Sequence, residues 1–230
     1  LVPHTGMQPT MFSEYLVKDY ETVANTLADA GMNLVFTGHF HSQDTSSIKT
    51  DKGNVLYDVE TGSLVTSPCP IRYVRLSDDS VSYTTEHVEA IEGMGNFKQH
   101  AANFLQTGME GLVEALLPGV LVQNGVSADQ AQGMAKKLAN QKLAEGVTVK
   151  SLLAGAFAAH YAGDEQMTEG VQAIVNGLAA QGGDDAATKA LYQLLAGTVA
   201  SLYTDSDPAD CKVSGLKLSA LPTYPSGGGS

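Results

Sequence analysis

The chain has 230 residues, 43% of them apolar and 17% charged, which suits a globular protein with a sizeable core in one or two domains. Thirteen basic against 25 acidic residues leave a net charge of -12 and a pI near 4.7. That balance excludes a general binder of nucleic-acid backbones, whose affinity rests on lysine and arginine, and no apolar run approaches the ~20 residues that cross a bilayer.

In chain order, "LVPH" opens with a short apolar stub ending in His4, and carries neither an initiating methionine nor a signal peptide. It reads as an interior point of a longer protein. From Ser13 to Ala30, Leu16, Tyr20, Val23, Ala24, Leu27 and Ala28 recur at helical spacing, and Gly31 supplies a stop that tolerates positive φ. "NLVF" then reads as a short buried strand, so stub, helix and strand form the start of an α/β unit. "NVLYDVET", "SLVTS", "IRYVRLS" and "SVSYTTEHVEA" follow as β-rich runs, with "SDDS" as a hairpin connection.

The character changes near residue 93. Beyond it, alanine, leucine, glycine and glutamine recur at helical spacing in about five segments, beginning with "FKQHAANFLQTGMEGLVEALL". Ser127 and Gln130 have the spacing of a capping box, and Asp184 or Asp185 is placed to cap the last helix. The organisation is therefore a mixed α/β part over 1–93, an all-α helical extension over 94–205 and a Pro-, Ser- and Gly-rich flexible tail over 206–230.

The chemistry concentrates in "VFTGHFHSQD". A neutral imidazole offers a metal one lone pair while its other nitrogen is held by a hydrogen bond. In extended backbone His39 and His41 project to one side, with Phe40 turned away as packing. Gly38 removes a side chain where the backbone approaches that side closely. His4 ends the preceding stub, so that His4 and His39 leave neighbouring strand ends. Two histidines on one face can each reach a different ion of a metal pair about 3.5–4 Å apart.

"LVPH", a helix and "FTGHFH", in that order and spacing, resemble the carboxy-terminal half of the calcineurin-like metallophosphoesterases. The resemblance covers about residues 1 to 90. It implies half of a β-sandwich flanked by helices, followed here by the helical extension. It implies that His4 and His39 ligate one divalent metal ion and His41 the other, the ions being Mn, Fe or Zn. It implies a phosphate-ester substrate, hydrolysed by metal-activated water attacking phosphorus in line with the leaving oxygen. "YDVETGSLVTSPCPIRYVRL" is similar to the strand pair of secreted or envelope-associated bacterial members, which implies that location. The family's Asp-x-His, Gly-Asp-x-x-Asp and Gly-Asn-His-Asp/Glu motifs are absent. The chain thus reads as a carboxy-terminal fragment that is inactive alone, with no catalytic residue of its own beyond metal ligands. A non-catalytic binding or scaffold protein that retains these histidines is the alternative, and a module holding one metal through His4, His39 and His41 is a third.

Other polar residues read more plainly. Asp44 either orients a ligand histidine or stabilises its loop. Asp58 and Glu60 alternate with Tyr57 and Val59, as the polar face of a strand. Arg72 and Arg75 are strand-surface charges, although either has the chemistry to meet a substrate phosphate. His87, beside Glu86 and Glu89, is a surface histidine, and His100 and His160 are partly buried or surface helical positions. Cys69 and Cys211 are two buried thiols or a single bridge, and Ser63 lacks the turn of a serine nucleophile.

Overall fold

A computed structural model describes residues 1–78, 80–163, 166–203 and 216–217, with backbone alone at 10, 11, 216 and 217. The fold is mixed α/β. In the amino-terminal part a short helix α1 (Gln8–Met11) and a single 3-10 turn (Ser13–Tyr15) precede α2 (Tyr20–Asp29). The helix expected from Ser13 starts later because Asp19 adopts a left-handed conformation (φ 55°) immediately before it. Its end is as expected, with Gly31 at φ 95° just past the cap.

Strands β1 (Leu34–Thr37), β2 (Asp44–Lys49) and β3 (Val55–Glu60) form a sheet in the order β1-β3-β2. β1 runs parallel to β3, and β2 runs antiparallel to it. The apolar stub at 1–3 joins no strand, but Val2 is buried with Ala24, Ala28 and Leu56, so α2 covers this sheet through small and aliphatic side chains. β1 is an edge strand rather than a fully buried one, and Phe36 stays 45% exposed. β4 (Pro70–Leu76) and β5 (Ser80–His87) make the expected hairpin, with Leu216–Lys217 paired to β5 as a short strand. "SLVTS" is a turn instead of a strand, and Val65 is 76% exposed there.

Five helices make up most of the remainder among the described residues: α3 (Phe97–Gln123), α4 (Ala128–Ala139), α5 (Val149–Ala162), α6 (Glu169–Ala179) and α7 (Ala186–Leu202). α3 continues through Pro118, which removes one intrahelical hydrogen bond. Burial of Leu117 and Leu121 on either side offsets that loss. Ser127 occupies the N-cap of α4 without a side-chain cap bond, whereas Thr148 and Ser151 form the capping box, at the start of α5. Asp185 caps α7 by accepting the Thr188 N–H at 2.9 Å. No helix among the described residues is long and apolar enough to cross a membrane.

The helical core is not confined to the helices. Met7 and Phe40, from the α/β part, are buried with Leu117, Leu153, Phe157 and Leu195 in a single cluster. The loop that carries the two histidines is thereby anchored in the helical extension.

Candidate functional site

The arm 38–44 leaves β1 and returns as β2. The sequence suggests an extended H-x-H, but both histidines are left-handed, with φ 86° at His39 and 69° at His41. Such values are uncommon for non-glycine residues and persist only where the surroundings over-determine them. Gly38, in contrast, is not left-handed, and a Cβ there would make only an ordinary contact, 3.6 Å from the Thr61 carbonyl oxygen. The tight glycine is Gly62, where a Cβ would lie 2.9 Å from Pro70 Cγ and 3.1 Å from the His41 carbonyl oxygen.

Four sets of contacts hold the arm. Phe40 is 5% exposed and packs against Phe12, Tyr15, His160 and Tyr161, with ring centroids 5.1–5.9 Å away. Its backbone N–H donates to Glu60 Oε1 at 2.9 Å, and the Ser42 hydroxyl donates to Glu60 Oε2 at 2.8 Å. Gln43 accepts from the Gly62 N–H and donates to Thr85 Oγ1, both at 2.9 Å. His41 Nδ1 meets the Thr66 hydroxyl at 3.0 Å, which orients the ring. His39 is exposed, its ring resting on Tyr15 at 4.9 Å.

His4 lies in a different environment. It is buried, with Nδ1 3.2 Å from Asp44 Oδ2 and Nε2 3.6 Å from Asp58 Oδ1 and 3.9 Å from Glu60 Oε2. Burial alone would drive the imidazolium to release its proton. Hydrogen bonds to Asp44 and Asp58, and the charges of Asp44 and Glu60, overcome that and raise its pKa to about 10. Burial resists ionisation of Asp58 too, but His4, with the Thr37 hydroxyl, holds its carboxyl far below the ordinary range. Its Oδ2 accepts from the backbone nitrogens of Leu1 and Val2, the latter at 2.7 Å. Burial moves Glu60 upward, against the charge of His4 and the bonds from Ser42 and Phe40. Both Glu60 oxygens accept hydrogen bonds, the pattern of the ionised form.

Asp58 and Glu60 are therefore not the polar face of a strand: both are fully buried, beside a buried Val59. Both faces of β3 are covered, so alternation carries no information about exposure there. Glu60 links the two environments, facing His4 with one oxygen and clamping the arm with both. Asp44, the first residue of β2 and not a loop residue, does contact His4, at 3.2 Å.

The three histidines differ as metal donors. His41 Nε2 and the exposed His39 ring have donor nitrogens suited to a divalent ion, but both nitrogens of His4 face carboxylates or the Ser46 hydroxyl. A protonated imidazole has no lone pair to give. Among the described residues, no group of three or more His, Cys, Asp or Glu is arranged to hold a metal ion. The donor set in this arrangement is thus incomplete, and no reaction step follows from it.

The remaining candidates lie elsewhere. Arg72 stacks over the Tyr83 ring at 4.7 Å, His87 is exposed, and His100 stacks on Phe104 at 6.5 Å. His160, expected at a partly buried or surface position, is fully buried against Phe40, because α5 is covered on nearly all sides. Cys69 is buried and left-handed (φ 57°), and burial raises its thiol pKa, which disfavours a nucleophilic thiolate. Cys211 and most of the tail over 206–230 lie outside the described residues. Glu60, Thr66 and Tyr161 give no sequence signal as parts of the site, whereas Phe40 packs inward as its place between the histidines predicts. The nearest hint was that Glu60 ends the run "YDVE", within which two carboxylates interrupt an apolar strand.

No protein-family model matches the chain, and no curated protein matches it at a significant level.

Proposed function

We propose that this chain is the carboxy-terminal part of a dinuclear metal-dependent phosphoesterase, to which it contributes the arm Gly38–His41 as metal-binding element. The observation that carries the reading is the paired left-handed histidines, locked from four directions around Phe40. Strain of this kind clusters where side chains must be aimed. The Thr66 hydroxyl on His41 Nδ1 supports it, since ligand histidines are commonly held at their other nitrogen. Mn, Fe or Zn suits a site rich in His and carboxylate donors, and a phosphate ester is the substrate class. The remaining ligands, and hence turnover, belong to the motifs that this sequence lacks.

Calorimetric titration with zinc and manganese tests this. Wild type binds, and His41→Ala binds at least about tenfold more weakly, while Thr66→Val, which frees Nδ1, loses about tenfold. Equal affinity in wild type and His41→Ala would remove the metal reading. Full metal-dependent turnover of p-nitrophenyl phosphate by the 230-residue chain would instead overturn the fragment assignment.

A non-catalytic scaffold is the second reading, and the observation favouring it is the carboxylate cage around His4. It predicts no zinc binding in any of these variants.

A further inference from the structure

We infer that α5 of the helical extension holds the histidine arm in its left-handed conformation, with Tyr161 as the positioning residue acting through Phe40. Phe40 is flanked by the two left-handed histidines, so whatever fixes its ring fixes the turn on either side. Four rings surround it, and they come from two sources. Phe12 and Tyr15 belong to the segment ahead of α2, whereas His160 and Tyr161 stand at the end of α5.

Tyr161 meets Phe40 nearly perpendicularly, at 85° and 5.9 Å, the edge-to-face geometry that aromatic pairs favour. Phe157, one turn earlier, packs at 6.2 Å against Tyr161 and at 6.0 Å edge-on against Phe12. Tyr15 in turn touches both Phe40 and His39. The rings form a closed chain from α5 through Phe12 and Tyr15 to His39, with Phe40 in the middle. The exit of α5 is itself fixed, because Gly163 takes a left-handed cap (φ 67°) that accommodates the turn two residues after Tyr161. The helical extension, which lies outside the residues that carry the phosphoesterase resemblance, is in this view part of the device that aims the histidines.

The inference depends on the proposed function only for its metal-affinity readout. Local opening of the arm is measurable without metal, as hydrogen-exchange protection of the amides at 38–43 in the full chain. Tyr161→Ala is expected to lower that protection about tenfold, and Tyr161→Phe to keep it within about twofold, because the ring and not the hydroxyl makes the contact. Leu178→Ala is the control, since it removes a buried side chain of α6 from the same core without touching the rings packed on Phe40. Opening of the arm by Leu178→Ala as large as that by Tyr161→Ala would show a general loss of stability and overturn the inference. So would unchanged protection in Tyr161→Ala. Zinc affinity should follow the same order, with Tyr161→Ala weakened and Tyr161→Phe unchanged. Absence of zinc binding by wild type would defeat the metal reading alone, and the exchange data would still decide the role of Tyr161.

Discussion

His4→Leu lowers the free energy of unfolding by about 3–5 kcal/mol, measured by urea denaturation at pH 7, because it strands buried carboxylates without their cation. The His4 side chain and those of Asp44, Asp58 and Glu60 are almost wholly shielded from solvent, so screening by water does not soften the loss. A change near the ~1 kcal/mol of an exposed ion pair would contradict this account. The same cluster sets the alkaline limb of stability. The folded-state pKa of His4, about 10, lies above its ordinary 6.5, so its contribution is complete below 6.5 and is lost as pH rises through about 10. In His4→Leu that limb should flatten. Asp58 acts in the opposite sense: its folded pKa lies below the ordinary 3.8, so its contribution is present above 3.8 and lost as the pH falls below it.

Glu60→Ala is the second large effect, expected at about 2–4 kcal/mol, since it leaves the buried Phe40 N–H and Ser42 hydroxyl without an acceptor. Glu60→Gln should cost less. Its amide oxygen still accepts from Phe40, and its NH2 can donate to a Ser42 hydroxyl that has turned round. Ser42→Ala combined with Glu60→Ala should cost less than the sum of the two single changes, because both belong to one network. Strict additivity, measured from urea midpoints at constant slope, would show that the clamp on the arm is not the source of the loss.

The particular elements explain what the sequence disclosed and what it hid. Strands β3, β4 and β5 and the five long helices announce themselves by apolar recurrence, as does the helical end at Gly31. β2 does not, because Asp44, Thr45 and Ser46 are polar and yet buried. They are satisfied by partners far away in the chain: His4 for Asp44, the Tyr83 hydroxyl for Thr45, and the Val2 carbonyl for Ser46. No local pattern encodes such pairing. The motif at His39 and His41 is legible, but its conformation is not, since the left-handed histidines flank a Phe40 that is buried in a core formed mainly by helices more than a hundred residues later. The burial of Asp58 and Glu60 is hidden from the sequence for a related reason. Strand alternation distinguishes two faces but does not say whether the second is covered.

On the proposed function, ring nitrogens of His39 and His41 bind the metal. Imidazole nitrogen NMR during zinc addition tests it most directly, because it reports each ring nitrogen separately. The account predicts that His41 Nε2 and the ring of His39 shift on binding, while His4 keeps the resonances of a protonated imidazole held by Asp44 and Asp58. Zinc that moves His4 and leaves His39 and His41 unchanged, or that moves no histidine, would contradict it.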